Sequence, residues 1–282
     1  MKKKFAAAFV AFALAMAMPA AAFAAPESSP EAESVAGNPG TVAIDTADQG
    51  NGDMSAIAIT GNVSGVYANN FGTTLADSKT NADNYATEKG TEASAKAMEE
   101  ATKANQAKID ALNVAINKVD ATPQEIAAAQ AQLAEINAAI AKAGADATKA
   151  WTDAAKAYNK AVGNFANING NEVINTFELQ GDNVGGMTVT IVLDKSKYAG
   201  HTVTALILDE NGKTIQKTLV VDKNGCIKIE KDGFCVWTLV DCSGGLPAGV
   251  VPENGVQQAD FEKALNVLGN ATDKGTSPKT GC

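Results

Sequence analysis

Hydrophobic residues in the middle of the chain recur every three or four positions, the period of a helix that is packed on one side. Between about 80 and 119 this stripe consists of Met98, Ala101, Ile109, Leu112, Ile116 and Val119 and is interrupted by Asn105. A second stripe with the same spacing consists of Ile126, Leu133, Ile136, Ile140, Ala147, Trp151, Ala154, Tyr158 and Phe165. Two helices of similar length with a short connection predict a long antiparallel α-helical hairpin over residues 79–168.

The second helix has a recognisable start and a distinctive far end. Thr122 can serve as N-cap, Pro123 suits the first helical position, and Glu125 completes a capping box. The larger side chains of this helix, Trp151 to Phe165, gather at the end that returns toward the following segment. We expect them to pack against a β region, and the alternative is an aromatic patch that binds a ligand.

After residue 172 the period changes from helical to strand-like. Six candidate strands lie at 173–180, 187–193, 202–208, 214–221, 227–230 and 235–240. Asn-Gly or Asp-Gly turns at 210–213, 222–225 and 231–234 separate the later ones. This pattern is typical of an antiparallel sandwich or barrel, and we expect a small antiparallel β-sandwich domain over residues 172–242. The predicted fold class is therefore α+β.

The remaining segments connect or extend these two parts. Residues 26–52 are rich in Pro, Glu, Ser and Gly and predict a flexible linker, with a candidate strand at 41–46. Residues 53–78 predict a short β segment with strands at 55–60 and 63–68. Residues 243–256 form a Gly/Pro linker, 257–269 a short helix, and 270–282 a polar tail.

The first 25 residues have the composition of a secretory signal peptide. Three lysines at positions 2–4 precede an apolar run from Phe5 to Met18, and Ala22-Phe23-Ala24 offers a cleavage site between Ala24 and Ala25. A membrane anchor is the alternative, but the run is short for the ~30 Å core of a bilayer. We therefore expect a secreted, extracellular protein without a transmembrane span in the mature chain.

The charge of the chain restricts the classes of partner that it is expected to bind. The 282-residue sequence has a net charge of −9, and its basic residues are all lysine. Removing the three lysines of the signal segment lowers the net charge to −12. Because nucleic acids and anionic lipids are bound by basic surfaces, often through arginine, we expect neither as a partner.

The four cysteines lie in the last quarter of the chain, at positions 226, 235, 242 and 282. They lack CxxC spacing and the chain has a single histidine, so we predict neither a structural zinc site nor another cofactor. If 231–234 is a tight turn, Cys226 faces Leu239 and lies near Cys242, which predicts a Cys226–Cys242 disulfide. If the chain instead changes sheets near Asp232, a Cys226–Cys235 disulfide becomes possible.

The sequence carries no catalytic motif. His201 opens a predicted strand, no nucleophile elbow or phosphate-binding loop is found, and the adjacent Glu99 and Glu100 point in different directions on a helix. We therefore predict no enzymatic activity and no catalytic residue. A glycosidase with two carboxylates in a cleft is the enzyme class to consider as an alternative.

Two motifs carry a resemblance to a known group of proteins. Residues 197–213, beginning Lys197-Tyr198-Ala199-Gly200, and residues 220–237, ending Phe234-Cys235-Val236-Trp237, resemble a β domain of large surface proteins from Gram-positive bacteria. In that family the last motif reads FSPF, so Cys and Val replace Ser and Pro here. The resemblance covers roughly residues 177–240 and implies a surface-displayed β module.

The tail adds to this resemblance. Ser277-Pro278-Lys279-Thr280-Gly281 is similar to the LPxTG sorting motif of such proteins, in which sortase cleaves after Thr and links it to peptidoglycan. The match implies Thr280 as the attachment residue, although the apolar span that normally follows is not in this sequence. We expect a non-catalytic, secreted or cell-wall-associated surface protein, a spacer or adhesin. The alternative is a receptor module for host glycan or matrix protein.

Overall fold

The computed structural model describes residues 41–46 and 53–253, and these form an α+β fold. In chain order the elements are β1 (Thr41–Asp45), β2 (Met54–Gly72), α1 (Leu75–Ile116), α2 (Pro123–Ala166), β3 (Glu172–Leu193), α3 (Lys195–Tyr198), β4 (Thr202–Leu208), β5 (Thr214–Val220), β6 (Cys226–Asp232) and β7 (Val236–Asp241). Two long helices stand against an antiparallel sheet that is nearly a barrel. The predicted fold class is confirmed.

Capping boxes begin both long helices. Thr122 accepts a hydrogen bond from the Glu125 N–H while Glu125 accepts one from the Thr122 N–H, so the predicted start of α2 is confirmed. Thr74 and Asp77 form the same reciprocal pair and start α1 five residues before the position that its periodicity predicts. At its C-terminal end the predicted stripe of α1 is too long, because α1 ends at Ile116 and Val119 is fully exposed.

The two long helices pack against each other and run in opposite directions. The Asn159 amide donates to the Asp83 carboxylate at 3.1 Å, and the Thr148 hydroxyl lies 3.4 Å from the Gly90 carbonyl oxygen. Gly144 lies directly against Met98. Small residues at these positions allow the helix axes to approach closely.

The seven strands of the described residues belong to one sheet, and β3 is its central strand. β2 pairs along one edge of β3, while the other edge pairs with β7 over residues 172–178 and with β6 over residues 186–192. β4 follows β7, and β5 follows β4, which brings β5 close to β6 and nearly closes the sheet. The two-layer sandwich beside a separate hairpin is therefore not confirmed.

The Asn-Gly turns are confirmed and share one geometry. The Asp209 carboxylate accepts hydrogen bonds from the N–H groups of Asn211 and Lys213 at 2.9 and 2.7 Å. The Asp222 carboxylate does the same for Asn224 and Cys226, at 2.8 and 2.9 Å. In each turn the aspartate fixes the backbone, and the following glycine takes the positive φ that the reversal needs.

The two faces of the strands bury two different apolar clusters. In β7, Trp237 and Leu239 point into the core enclosed by the curved sheet, whereas Val236 and Val240 point from its outer face toward the helices. Tyr158 and Phe165 of α2 are buried against this outer face, and Trp151 is partly buried there. The predicted packing of the large aromatic residues on the β region is confirmed, and it fixes the base of the helices on the sheet.

Candidate functional site

The single histidine belongs to a polar cluster at one end of the sheet. His201 precedes β4, Asp241 ends β7, and Ser243 follows it. The His201 Nδ1 atom lies 3.2 Å from Asp241 Oδ2 and 3.1 Å from Ser243 Oγ. Asp241 is buried, whereas His201 is half-buried and its ring meets that of Tyr198 edge to face. Serine, histidine and aspartate thus lie together in a chain in which no catalytic motif was found.

The geometry of this cluster differs from that of a serine hydrolase. In a catalytic triad the serine and the aspartate bind opposite nitrogens of the imidazole. Here both contact Nδ1, and the Ser243 hydroxyl lies 2.9 Å from each oxygen of Asp241. The following N–H groups are also engaged, because Gly244 donates to Asn171 and Gly245 donates to the Cys242 carbonyl oxygen. The cluster ties the start of β4 to the end of β7.

A second polar group adjoins this cluster. The Lys197 ammonium pairs with Asp53 at 3.0 Å and with Glu172 at 2.8 Å, and these contacts raise the pKa of Lys197. The Tyr198 hydroxyl contacts the same two carboxylates. Burial raises the pKa of Tyr198. These contacts link α3 to the beginnings of β2 and β3, so their role in the fold is to hold elements together.

The three described cysteines are buried, and none of them forms a disulfide. The predicted Cys226–Cys242 bond is not found, because β6 and β7 do not form the hairpin on which it was based. Cys226 lies opposite Val192 near one end of β3, whereas Asp241, next to Cys242, lies opposite Glu172 at the other end. Burial raises the pKa of all three thiols, to about 12 for Cys226 and Cys235.

A cleft of about 500 Å³ lies where α1, the middle of β3 and two turns meet. Its walls come from four separate parts of the chain, and they include Tyr85, Glu88, Lys89, Glu178, Gln180, Asp182, Glu210, Asp232 and Phe234. β3 bends here, and Gly181 and Gly185 adopt positive φ. The cleft therefore forms at the place where β3 exchanges β7 for β6 as its partner.

Glu178 is the most deeply buried carboxylate of the cleft, with 5% of the residue exposed. Gln180 donates an amide N–H to Glu178 at 2.6 Å, and Asn70 donates another at 2.9 Å. The Tyr67 hydroxyl in turn donates to Gln180. Desolvation raises the pKa of Glu178 despite these two donors, which stabilise the ionised form.

The residues singled out as export and sorting sites lie outside the described part of the chain. These are Ala24 and Ala25 at the expected cleavage site, and the sorting-like motif Ser277, Pro278, Lys279, Thr280 and Gly281. Within the described residues, no helix has the length and apolarity needed to cross a membrane. Those residues also contain no group of three histidine, cysteine or carboxylate side chains placed to hold a metal ion.

No family model, curated protein or solved structure matches this chain. The resemblance to Gram-positive surface domains therefore stays a prediction that rests on the sequence motifs.

Sequence reasoning missed the cleft. Its residues come from positions between 85 and 234, and nothing local to any one of them indicates that they meet. One signal was present in Phe177-Glu178-Leu179, where a carboxylate stands between two large apolar residues of a predicted strand. Since such a carboxylate is buried only at a cost, it marks a position worth examining for function.

Proposed function

We propose that this protein is a non-catalytic, exported bacterial surface protein in which the two long helices form a spacer that projects from the sheet. The single observation that carries the proposal is the placement of the helix contacts. Residues 75–85 of α1 and 151–166 of α2 pack on the sheet, through the cluster around Tyr158 and the bonds from Ser78 and Asn81.

The part of the helices beyond this base supports the spacer role. The 24 residues from 93 to 116 of α1 extend roughly 35 Å at 1.5 Å per residue. Along this length the apolar residues Ile109, Leu112 and Ile116 are only half-buried. A helix pair that contributes this little to a common core is suited to setting a distance between two ends of a molecule.

The polar cluster around His201 supports the absence of catalysis. The Ser243 hydroxyl is held by Asp241, and the adjacent backbone N–H groups already have acceptors. Acyl transfer needs free donors aimed at the developing oxyanion. We therefore expect no turnover of ester or amide substrates at this cluster.

Binding arrays with two proteins test the spacer role. The first is the chain without its signal segment, and the second has residues 100–140 replaced by a short Gly-rich loop. As a spacer, the helix pair contributes no binding of its own, so the two proteins give the same profile on glycan and matrix-protein arrays. Binding by the full-length protein that the shortened one lacks would overturn the spacer role, and sugar release from wall or host glycans would overturn the non-catalytic one.

Export and wall attachment need a separate measurement. N-terminal sequencing of the protein secreted by a Gram-positive host should find a chain that begins at Ala25. Recovery from the cytosol with residues 1–24 intact would contradict export. The coding DNA beyond Cys282 tests the sorting motif, because an apolar span followed by a basic tail is needed for sortase attachment.

The alternative is that the β part is a receptor for glycan or matrix protein. The cleft beside Glu178 is the observation that favours it, since its volume lies in the range of small-ligand sites. This alternative is supported if array binding persists in the shortened protein and is lost when a larger side chain is introduced to fill the cleft.

A further inference from the structure

The cleft between α1 and β3 has an unbalanced charge. Five of its lining residues are acidic, namely Glu88, Glu178, Asp182, Glu210 and Asp232, and one, Lys89, is basic. Its volume of about 500 Å³ is sufficient for a small ligand or for one side chain of a larger one. The sign of the charge selects for a cationic group.

A cation of this protein already occupies part of the space. The Lys89 ammonium lies 5.9 Å from the centre of the Tyr85 ring, in the range of a cation–π contact. Its carboxylate partner is Glu92, at 2.9 Å, which is not a cleft residue. The Tyr85 wall of the cleft therefore accommodates a primary ammonium, and the Lys89 side chain that occupies it is half-buried.

One of the acceptors that such a group needs is held in place. Glu178 is buried and fixed by Gln180 and Asn70, and an ionised carboxylate has about four acceptor positions, of which these amides use two. The Glu210 carboxylate lies against the backbone of Gly233. One carboxylate is thus buried and the other exposed, with the Tyr85 ring as a further wall.

We propose that this cleft is a binding site for primary alkylammonium groups, with the Tyr85 ring as the platform and Glu178 and Glu210 as the acceptors. The group can belong to a free diamine or to a lysine side chain of a peptide. The proposal does not depend on export, on the spacer role or on a receptor role for glycans.

Isothermal titration calorimetry with the full chain tests the site. The probes are 1,5-diaminopentane and an acetyl-Gly-Lys-Gly-amide peptide, which distinguish the two sources, with 1,5-pentanediol as the uncharged control. We expect saturable binding of at least one amine and none of the diol. Binding should weaken as the salt concentration rises, because the contact is between charges.

Substitutions assign the binding to the cleft. Glu178→Gln and Glu210→Gln should each weaken amine binding about tenfold, since each removes a charged acceptor. Glu135→Gln on the exposed face of α2 removes the same charge far from the cleft and serves as the matched control. Lys89→Gln should strengthen binding about threefold, because it removes the competing ammonium.

Three results would overturn the proposal. These are the absence of saturable binding for both amines, an equal loss in Glu135→Gln and Glu210→Gln, or binding of calcium chloride with no binding of amines. Because Glu210 is exposed, its variant keeps the test valid if Glu178→Gln fails to fold. Failure of this test leaves the array experiment on the spacer role unaffected.

Discussion

At the scale of single residues, the contact between the helices and the sheet depends on a small buried layer of hydroxyl groups. The Tyr158 hydroxyl lies 2.7 Å from Thr238 Oγ1 and 3.2 Å from the Leu206 carbonyl oxygen. Ser78 and Thr176 also bond to Thr238. Each hydroxyl has a hydrogen-bond partner within the layer, so the layer can be completely buried. It fixes the position of the helices on the sheet.

Replacing Tyr158 by Phe should lower the free energy of unfolding by about 1–2 kcal/mol, because it leaves buried partners without a hydrogen bond. Urea denaturation followed by circular dichroism measures this change. Tyr67→Phe is the control, since Tyr67 is half-buried and bonds only to Gln180 in the described structure. Equal losses in the two variants would show that the buried layer has no special role.

At the scale of elements, Gly144 decides how closely the two long helices approach. A Cβ atom at this position would lie 2.8 Å from the Met98 Sδ atom and from the Ser94 Oγ atom. Glycine costs about 1 kcal/mol in a helix interior relative to alanine. In the structure this glycine is a point of contact between the two helices.

Gly144→Leu should lower the free energy of unfolding by about 1–3 kcal/mol, because the new side chain forces the helices apart. Thermal and urea denaturation measure the effect. The matched variant is Gly163→Leu in the same helix, where an added Cβ meets only Asn167. A Gly144→Leu protein as stable as the Gly163→Leu protein would contradict the close approach.

Elements with a strong local signal could be predicted from the sequence. The Thr122–Glu125 capping box and the two Asn-Gly turns are fixed by residues within five positions of one another, so the local pattern determines them. The sequence predicts two strands, at 173–180 and 187–193, separated by a segment that contains Gly181, Gly185 and Gly186. In the structure they bend one strand instead, and only its pairing with β2 across the bend reveals the continuity.

Pairing between distant segments could not be predicted from local pattern. Asp232-Gly233 is a turn signal, and it led to a hairpin between β6 and β7 that the structure does not contain. Both strands pair with β3 instead, which separates Cys226 from Cys242. The cleft could not be predicted for the same reason, because Tyr85, Glu178 and Glu210 meet only after the whole sheet has formed.

At the scale of the whole molecule, buried thiol and phenol groups make the fold less stable at alkaline pH. Burial raises the pKa of Cys235 from 9.0 to about 12 and raises that of Tyr158 as well. The folded state thus keeps protons that the unfolded state loses. The stabilisation is complete below about pH 9 and is lost progressively as the pH rises from 9 to 12.

We expect the free energy of unfolding to fall between pH 9 and pH 12, with Cys235 contributing up to about 1.4 kcal/mol per pH unit. Urea denaturation at several pH values, with a reductant present, measures the slope. Cys235→Ala should give a shallower slope, whatever its effect at neutral pH. An unchanged slope in this variant would show that the thiol ionises as easily in the folded protein as in the unfolded one.

The central position of β3 has a consequence for how the chain reaches this fold. β2 and β3 are neighbours in the sheet, but Gly72 and its partner Thr176 are separated by on the order of 100 residues, so their pairing closes a large loop. The intervening helices run in opposite directions and pack against each other. Early association of the two helices would therefore shorten this loop and favour the pairing of β2 with β3.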